Sequence, residues 1–296
     1  MLAMKKAAKE GAKPIIGFIG QGWIGKHYSD DLERRGFTVV RYAKEEPYTK
    51  NKAQIKKCDI VFIAVPTPTV AKGFDDSIVR SVIKLVGKGK TAVIKSTLLP
   101  GTTEDIQKEN PGIFVLNSPE FLSVSTAAYD AGNPSRNIVG IPIDTSEYHK
   151  KAEEVMKVLP KALYKFTYNC VCSSREAELI KYGRNYLGFV RVIAINLFYD
   201  LAQKLDVDWN IIREAMSADP DNGPTYMNPV HKSGRGAGGE CFIKDFEAFS
   251  RMYNDLVKDP LGKEVIDSLK AKNIKLLIES KKDINLLRDV YGESIF

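Results

Sequence analysis

The chain has 296 residues, a formal net charge of +7 and an apolar fraction of 44%. This length suits two domains of ordinary size, and the absence of any run of about 18 apolar residues predicts no membrane-spanning helix. Basic residues are scattered among acidic ones instead of forming one block, which argues against a nucleic-acid partner. The positive charge suits a protein that attracts anionic small molecules.

The N-terminus and the cysteines indicate the compartment. Residues 1–13 form a basic tail without the apolar stretch of a secretory signal. The spacing of the cysteines fits no zinc pattern, so we expect no metal site; they are Cys58, Cys170, Cys172 and Cys241. We therefore expect a cytoplasmic protein with reduced thiols.

Residues 14–168 alternate short apolar runs with amphipathic stretches. This rhythm predicts an α/β fold with a doubly wound, mostly parallel sheet. A helix is predicted over 146–159, and the predicted strands cover 15–19, 38–42, 60–65, 92–94, 113–116, 137–141 and about 163–167.

Residues 169–296 read as an all-helical domain. Apolar residues recur at helical spacing from Ser173 to Leu205 without a proline, which predicts one long helix. Ser173 or Ser174 can cap this helix, with Glu176 in its first turn. A helix of roughly 45 to 50 Å exceeds one small domain, so we expect it to bridge the domains and to form a homodimer face. Shorter helices are predicted over 208–217, 244–256 and 261–280, with a polar loop at 218–240.

A glycine-rich loop, Gly20-Gln-Gly-Trp-Ile-Gly25, follows the first predicted strand and precedes a helix. Gly20 allows a tight turn, Gly22 lets a pyrophosphate approach the backbone, and Gly25 lets the helix pack against the strand. Together with Trp23 and Ile24 at the helix N-terminus, this loop predicts a Rossmann-type site for NAD.

The second predicted strand does not end in the acidic residue that binds the ribose of NAD. Arg41 and Lys44 stand there instead. Two cations suit a 2′-phosphate, so NADP is an alternative cofactor. The other interpretation is that both cations are simply solvated.

A second glycine-rich segment, 234–245, contains Cys241 just before a predicted helix. The helix dipole and the charge of Lys244 should lower the pKa of this thiol and make it a nucleophile. The neighbouring Glu240 should oppose that effect by like-charge repulsion.

The long predicted helix carries a polar stripe. Glu178, Lys181 and Asn185 follow helical spacing and fall near one face. We expect this stripe to line a cleft.

Six segments together resemble the UDP-glucose/GDP-mannose dehydrogenase family. They occur in the family's order and are the glycine loop, 59–68 (DIVFIAVPTP), 95–103 (KSTLLPGTT), 118–122 (SPEFL), 176–182 with Asn185, and 238–245 (GGECFIKD). The resemblance implies two successive NAD-dependent oxidations at a sugar alcohol, through a Cys241 thiohemiacetal and thioester. It implies a nucleotide-sugar or sugar-phosphate substrate, a uronic acid product and a place in polysaccharide biosynthesis.

The resemblance also implies roles for individual residues. Lys181 and Asn185 would stabilise oxyanions, Asp245 would help to activate water, and Glu120 with Thr97 would hold a water for proton transfer. Further cofactor contacts would come from Pro66 and Thr67. The substrate contacts implied, besides Lys181 and Asn185, are Phe121, Leu122, Tyr226, Asn228, Gly238 and Lys244.

The sequence also departs from the family. Family members continue into a third domain that covers the nucleotide, whereas this sequence ends at Phe296, so we expect that UDP-binding domain to be missing. Segment 118–125 lacks the family's Arg-Glu pair. Two other functions remain open: a hydroxyacid dehydrogenase or reductase that transfers one hydride, and a member that keeps the fold without catalysis.

Overall fold

The computed structural model describes residues 13–123, 125–161 and 168–296. The predicted strand at 163–167 and nearly all of the basic tail lie outside the described residues. The chain divides into two compact units: the first comprises the chain up to Thr67 together with Asp76–Leu179, and the second comprises Pro68–Asp75 and Ile180–Phe296. The division falls later than the predicted boundary at 168.

Within the described residues, the first unit is built on a seven-stranded sheet. The β-branched runs form it because such side chains suit a sheet that is buried on both faces. Its strands are β1 (Ile16–Ile19), β2 (Val39–Tyr42), β3 (Ile60–Ile63), β6 (Thr91–Ile94), β7 (Phe114–Asn117), β8 (Arg136–Ile141) and β9 (Tyr168–Ser173), and a hairpin of β4 (Thr69–Val70) and β5 (Gly73–Phe74) follows β3 in the chain.

The strand order is β2-β1-β3-β6-β7-β8-β9. Every neighbouring pair is parallel except β7 with β8. The predicted α/β class with a mostly parallel sheet is therefore confirmed.

The helices of the first unit cover the apolar sheet. They are α1 (Trp23–Arg34), α2 (Ser77–Ile83), α3 (Thr102–Glu109), α4 (Ala127–Gly132) and α5 (Ser146–Val158), with a 3₁₀ helix at Thr49–Lys57. Tyr28 of α1 and Val155 of α5 belong to one buried cluster with strand residues Phe18 and Phe62. The Phe18 and Phe62 rings stack with their centroids 5.6 Å apart.

Strand β9 was not predicted. It pairs in parallel with β8, with Ile138 opposite Cys170. Cys170 and Cys172 are both partly exposed on this edge strand. The sequence NCVCS gives no clear alternation of apolar and polar residues, so only pairing with β8 identifies it as a strand.

The second unit is helical. It contains most of α6 (Ser174–Lys204), then α7 (Trp209–Ala218), α8 (Gly239–Leu256), α9 (Pro260–Glu279) and α10 (Ile284–Tyr291), with a small hairpin of β10 (Val230–His231) and β11 (Gly234–Arg235). The β4–β5 hairpin also belongs to this unit, where Arg251 donates a hydrogen bond to the carbonyl of Val70 at 2.9 Å.

The long helix begins as predicted. The amide of Ser173 donates to Glu176 Oε2 at 2.8 Å, and the amide of Glu176 donates to Ser173 Oγ at 3.3 Å. This reciprocal pair is a capping box.

The apolar face of α6 packs in the second unit through Phe189. The centroid of its ring lies 3.7 Å from that of the stacked Phe246 ring.

Two helix boundaries differ from the predictions. Helix α8 starts at Gly239, five residues before the predicted start at Lys244, so Cys241 lies inside the helix. Helix α10 was missed altogether, because only eight residues carry its pattern. Within the described residues no helix is long and apolar enough to cross a membrane.

Candidate active site

The glycine loop has the geometry of a dinucleotide turn. Gly20 has φ +91°, which L side chains rarely adopt. A Cβ on Gly25 would lie 1.8 Å from the carbonyl oxygen of Gly20, so the helix and the strand approach too closely there for any side chain. Gly22 is the N-cap of α1, and a Cβ there would meet no atom within 4 Å. Open space at a helix N-terminus fits the pyrophosphate of a dinucleotide. Trp23 and Ile24, the first two residues of α1, are both partly buried.

The other predicted cofactor residues, and the predicted catalytic residue Glu120, lie in loops that follow neighbouring strands. β1, β3, β6 and β7 are adjacent and parallel, so their carboxyl ends share one edge of the sheet. Gly20, Pro66, Thr97 and Glu120 follow these four strands in turn. In open α/β sheets, ligands bind at this edge.

Two hydroxyl groups join the loops after β3 and β6. Thr67 Oγ1 donates to the carbonyl of Thr97 at 2.8 Å. Ser96 Oγ donates to the carbonyl of Val65 at 2.7 Å and accepts from its amide at 3.0 Å. Ser96 was not predicted as a site residue, although it stands inside a segment that matched the family.

Arg41 is not free to hold a phosphate. Its guanidinium donates to Asp30 at 2.7 Å and to Glu33 at 2.7 Å. Lys44 is exposed. Because two carboxylates already neutralise Arg41, the structure gives no support to the predicted 2′-phosphate site.

Glu120 is a buried carboxylate, 4% exposed. Its Oε1 accepts a hydrogen bond from the amide of Leu122. Burial raises the pKa of the neighbouring Tyr28, and the charge of Glu120 and a hydrogen bond to it raise that pKa further. Next to Glu120 in the chain, the Phe121 ring lies 4.0 Å from the guanidinium carbon of Arg136.

The second unit gathers five predicted site residues around α6 and α8. Asn185 Nδ2 donates to Asp245 Oδ2 at 2.6 Å, and Lys244 Nζ pairs with the other oxygen of Asp245. Lys181, Asn185 and Asp245 are all buried, and Cys241 is exposed as the third residue of α8. We call Cys241, Lys181, Asn185, Lys244 and Asp245 the cysteine cluster.

The predicted lowering of the pKa of the Cys241 thiol is wrong. Desolvation by the surrounding protein raises the pKa of Cys241 above its ordinary value, and the positive charge of Lys181 opposes this rise. Asp245 and Glu240 raise the pKa further, and for Glu240 that is the predicted direction. The sequence showed the charges but not the desolvation, which depends on how α6 and α8 pack.

Glu178 has a different role from the one predicted. Instead of lining a cleft, its carboxylate accepts hydrogen bonds from the amides of Gly101 and Thr103 at 2.7 and 2.9 Å, and from Thr103 Oγ1 at 2.6 Å. It therefore caps the N-terminus of α3. Burial raises the pKa of Glu178 to about 7, although the hydrogen bonds from Thr103 and Gly101 oppose the rise.

The remaining predicted substrate residues occupy several positions in the second unit. Tyr226 has φ +62° and its ring lies 5.4 Å from that of Phe242. Gly238 is the N-cap of α8. Asn228 is exposed and lines a cavity of about 440 Å³ with Tyr199 and Trp209, outside the cysteine cluster.

No three His, Cys, Asp or Glu side chains within 13–123, 125–161 and 168–296 are grouped so as to hold a metal ion. The cysteine cluster brings together a thiol, two ammonium groups, an amide and a carboxylate.

A mostly parallel sheet with a glycine turn after its first strand, followed by a helical unit, is typical of dinucleotide-binding proteins of the Rossmann class. The sequence matches two family models: the NAD binding domain over residues 46–160 and the central domain over 175–273. The chain belongs to the UDP-glucose/GDP-mannose dehydrogenase family. The first match identifies NAD as its cofactor.

Individual relatives agree with this assignment. A putative UDP-glucose 6-dehydrogenase of Bacillus subtilis, YtcA, is 30% identical over 211 residues, which are 67% of this chain and 46% of the relative. The UDP-glucose 6-dehydrogenase YwqF of the same organism is 28% identical over 279 residues, which are 90% of this chain and 59% of the relative. The chain thus spans about half the length of these relatives.

The fold also matches a solved structure, that of a UDP-glucose dehydrogenase from the archaeon Pyrobaculum islandicum. The TM-score is 0.73 at 24% identity, and the match covers 92% of this chain and 72% of the other. At this identity the likeness concerns the fold alone.

Proposed function

We propose that this protein oxidises the primary alcohol of a nucleotide-linked sugar to a carboxylic acid, with Cys241 as the covalent nucleophile. The observation that carries the proposal is the cysteine cluster. Buried Lys181, Asn185 and Asp245 stand beside an exposed thiol, and a structural cysteine would need none of them.

The reaction removes four electrons from one carbon. NAD, when bound, accepts a hydride in each of the two oxidations. The first converts the alcohol into an aldehyde, while a water held by Glu120 and Thr97 takes the hydroxyl proton. The Cys241 thiolate adds to the aldehyde carbon to give a thiohemiacetal. Its oxidation gives a thioester, and water breaks the carbon–sulfur bond to release the acid and regenerate the thiolate.

The cluster supplies the charges that this route needs. Lys181 stabilises the thiolate, because its positive charge lowers the pKa of Cys241 against the effect of desolvation. Lys181 and the Asn185 amide stabilise the oxyanion that forms when the thiolate adds to the aldehyde. Asp245, held by Asn185 and Lys244, orients the water that attacks the thioester.

The substrate is anionic. A net charge of +7 favours a nucleotide sugar, with a sugar phosphate as the smaller alternative of the same sign. The acid product would supply the uronic acids used in polysaccharide synthesis.

The dimer is a separate proposal. Leu187, Phe198 and Leu201 fall on one stripe of α6, which Leu205 extends directly after the helix. Each of the four is more than half exposed. Apolar side chains grouped on a solvent-exposed face usually mark an interface. We infer that a second copy of the chain covers it.

Measuring reduced NAD from UDP-glucose, and in parallel from glucose 1-phosphate, tests the proposed reaction. We expect two equivalents per sugar, and no acid from Cys241→Ser. Cys172→Ser is the matched control and should behave as the wild type, because Cys172 lies on β9 outside the cluster.

The two other functions predict different results. A single-hydride hydroxyacid enzyme would give one equivalent of reduced NAD and would not depend on Cys241. A non-catalytic member would bind NAD without reducing it. Acid formation by Cys241→Ser at the wild-type rate would exclude the thioester route.

A further inference from the structure

The loop that leads to Cys241 is held by side chains from α9 and from the turn that follows α9. Loop 234–239 begins with β11 and ends at Gly239, the first residue of α8, two residues before Cys241. Besides the pairing of β11 with β10, its backbone groups bond to side chains more than thirty residues later in the sequence.

Asn273 of α9 holds the middle of the loop. Its Oδ1 accepts from the amide of Ala237 at 2.7 Å, and its Nδ2 donates to the carbonyl of Ala237 at 3.1 Å. Asn273 is 1% exposed. A buried side-chain amide bonded to both backbone groups of one residue fixes that residue's position and orientation.

Lys282 holds the carbonyls on the same loop. Its Nζ donates to Gly236 O at 2.9 Å and to Gly234 O at 3.3 Å, and the residue is 5% exposed. Lysine is rarely buried this deeply without a carboxylate partner. Here an ammonium group is buried against two loop carbonyls.

Asp283 holds the end of the loop. Its Oδ2 accepts from the amide of Gly239 at 2.7 Å, so it caps α8 from outside the helix. Gly238 has no room for a side chain, because a Cβ there would lie 2.1 Å from Asp283 Oδ2. The position of the Asp283 carboxylate therefore requires a glycine at position 238.

The turn that presents Lys282 and Asp283 is itself unusual. Lys281 and Asp283 both have φ +54°, a backbone region that non-glycine residues occupy at a cost. The amides of Lys281 and Lys282 bond back to Ile278 and Leu277, which closes the end of α9 as a Schellman motif. The turn thus directs two consecutive side chains at one loop.

We propose that Asn273, Lys282 and Asp283 are positioning residues that fix the Cys241 thiol at the first turn of α8. This inference rests on the proposed function, because it assumes that the loop serves a reactive Cys241. The three residues act through the backbone of the loop, which sets where the first turn of α8 lies and how the thiol faces Lys181.

Alkylation of Cys241 by iodoacetamide, followed by peptide mass spectrometry across a pH series, tests the proposal without NAD or sugar. Lys282→Met removes the ammonium group and keeps an unbranched apolar stem. We expect faster labelling of Cys241, by about threefold or more, and a changed midpoint pH, because a loosened loop no longer holds the thiol at a fixed position beside Lys181 and Asp245. Lys281→Met is the matched control, since Lys281 is the exposed neighbour, and should keep both wild-type values.

Near-ultraviolet circular dichroism reports whether the second unit is folded, because the stacked rings of Phe189 and Phe246 lie in the same unit as Lys282. If Lys282→Met loses this signal, Asp283→Ala provides the test instead, since it removes only the half-buried contact to Gly239. A midpoint pH that stays at the wild-type value in the folded variant would overturn the proposal. Absence of dehydrogenase activity would count against the proposed function alone, since the labelling needs no turnover.

Discussion

Asn185 and Asp245 share a hydrogen bond of 2.6 Å although they are sixty residues apart in sequence. Asn185 belongs to α6 and Asp245 to α8, and both are almost completely buried. The bond joins the helix that carries Lys181 to the helix that carries Cys241. A buried carboxylate needs such partners, because desolvation makes an unpaired one costly.

The substitution Asn185→Asp should break this link. It replaces a donor by a second carboxylate directly beside Asp245, so we expect a loss of unfolding free energy of about 1–3 kcal/mol and a fall in the rate of NAD reduction of about a hundredfold. Denaturant unfolding and absorbance of reduced NAD measure the two effects. Asn210→Asp, at an exposed position of α7, is the control, and a variant at position 185 that matched it in both assays would contradict the assigned role.

The two glycines Gly22 and Gly25 should respond differently to alanine. Gly25→Ala places a Cβ 1.8 Å from Gly20 O, so it should destabilise the protein by about 1–3 kcal/mol, as overpacking does. Gly22→Ala meets no protein atom, so its thermal stability should stay within about 0.5 kcal/mol of the wild type.

NAD binding separates the two variants further. A methyl group at position 22 would occupy the side from which the pyrophosphate approaches, so NAD affinity should fall about tenfold or more. Calorimetric titration with NAD measures this change. Wild-type affinity in Gly22→Ala would mean that the dinucleotide does not use this loop.

Glu178 should make stability depend on pH near neutrality. Its pKa rises from an ordinary 4.5 to about 7 on folding, mainly through burial. Between these values the folded protein holds a proton that the unfolded chain has released, so stability falls as pH rises. The contribution is complete below pH 4.5 and is lost as pH increases through about 7; at 1.36 kcal/mol per unit, it amounts to about 3 kcal/mol.

Glu178→Gln should remove most of this pH dependence, since glutamine resembles the protonated acid at every pH. Urea unfolding between pH 5 and pH 8 measures the slope, with the exposed Glu214→Gln as control. Equal slopes for both variants would show that Glu178 is ionised in the folded protein throughout this range.

The apolar stripe on α6 predicts a concentration-dependent dimer. Leu201→Lys places a charge in the middle of the stripe and should yield a monomer in sedimentation at micromolar concentration. Leu256→Lys changes an even more exposed leucine, at the end of α8, and should leave the dimer intact. If the wild-type protein is monomeric at that concentration, the dimer proposal fails.

Several strands and one helix start could be predicted, because short-range features of the sequence stabilise them. The β-branched runs that became β1, β3 and β6 are buried along their whole length, and Ser173 with Glu176 encodes the start of α6. Strand β9 and helix α10 could not be predicted, since pairing with β8 and packing on α8 stabilise them more than their own sequences do.

The candidate site also has features that the local sequence predicts and features that depend on tertiary contacts. The thiol, lysine, amide and carboxylate of the cysteine cluster could be named in advance, because the segments that resemble the family carry them. The pairing of Arg41 with Asp30 and Glu33 could not be predicted, nor could the contact of Lys282 with loop 234–239. Each depends on the path of the chain between the partners.

The alternating fold, the long helix and the glycine loop could be predicted from the sequence, because they follow from periodicity and backbone freedom. The tertiary structure set the electrostatics around the predicted site residues. It turned Glu178 into a cap for α3, neutralised Arg41, and raised the pKa of Cys241 where the isolated sequence predicted a fall. Desolvation and hydrogen bonding depend on which distant atoms surround a group, and only the packed chain specifies those neighbours.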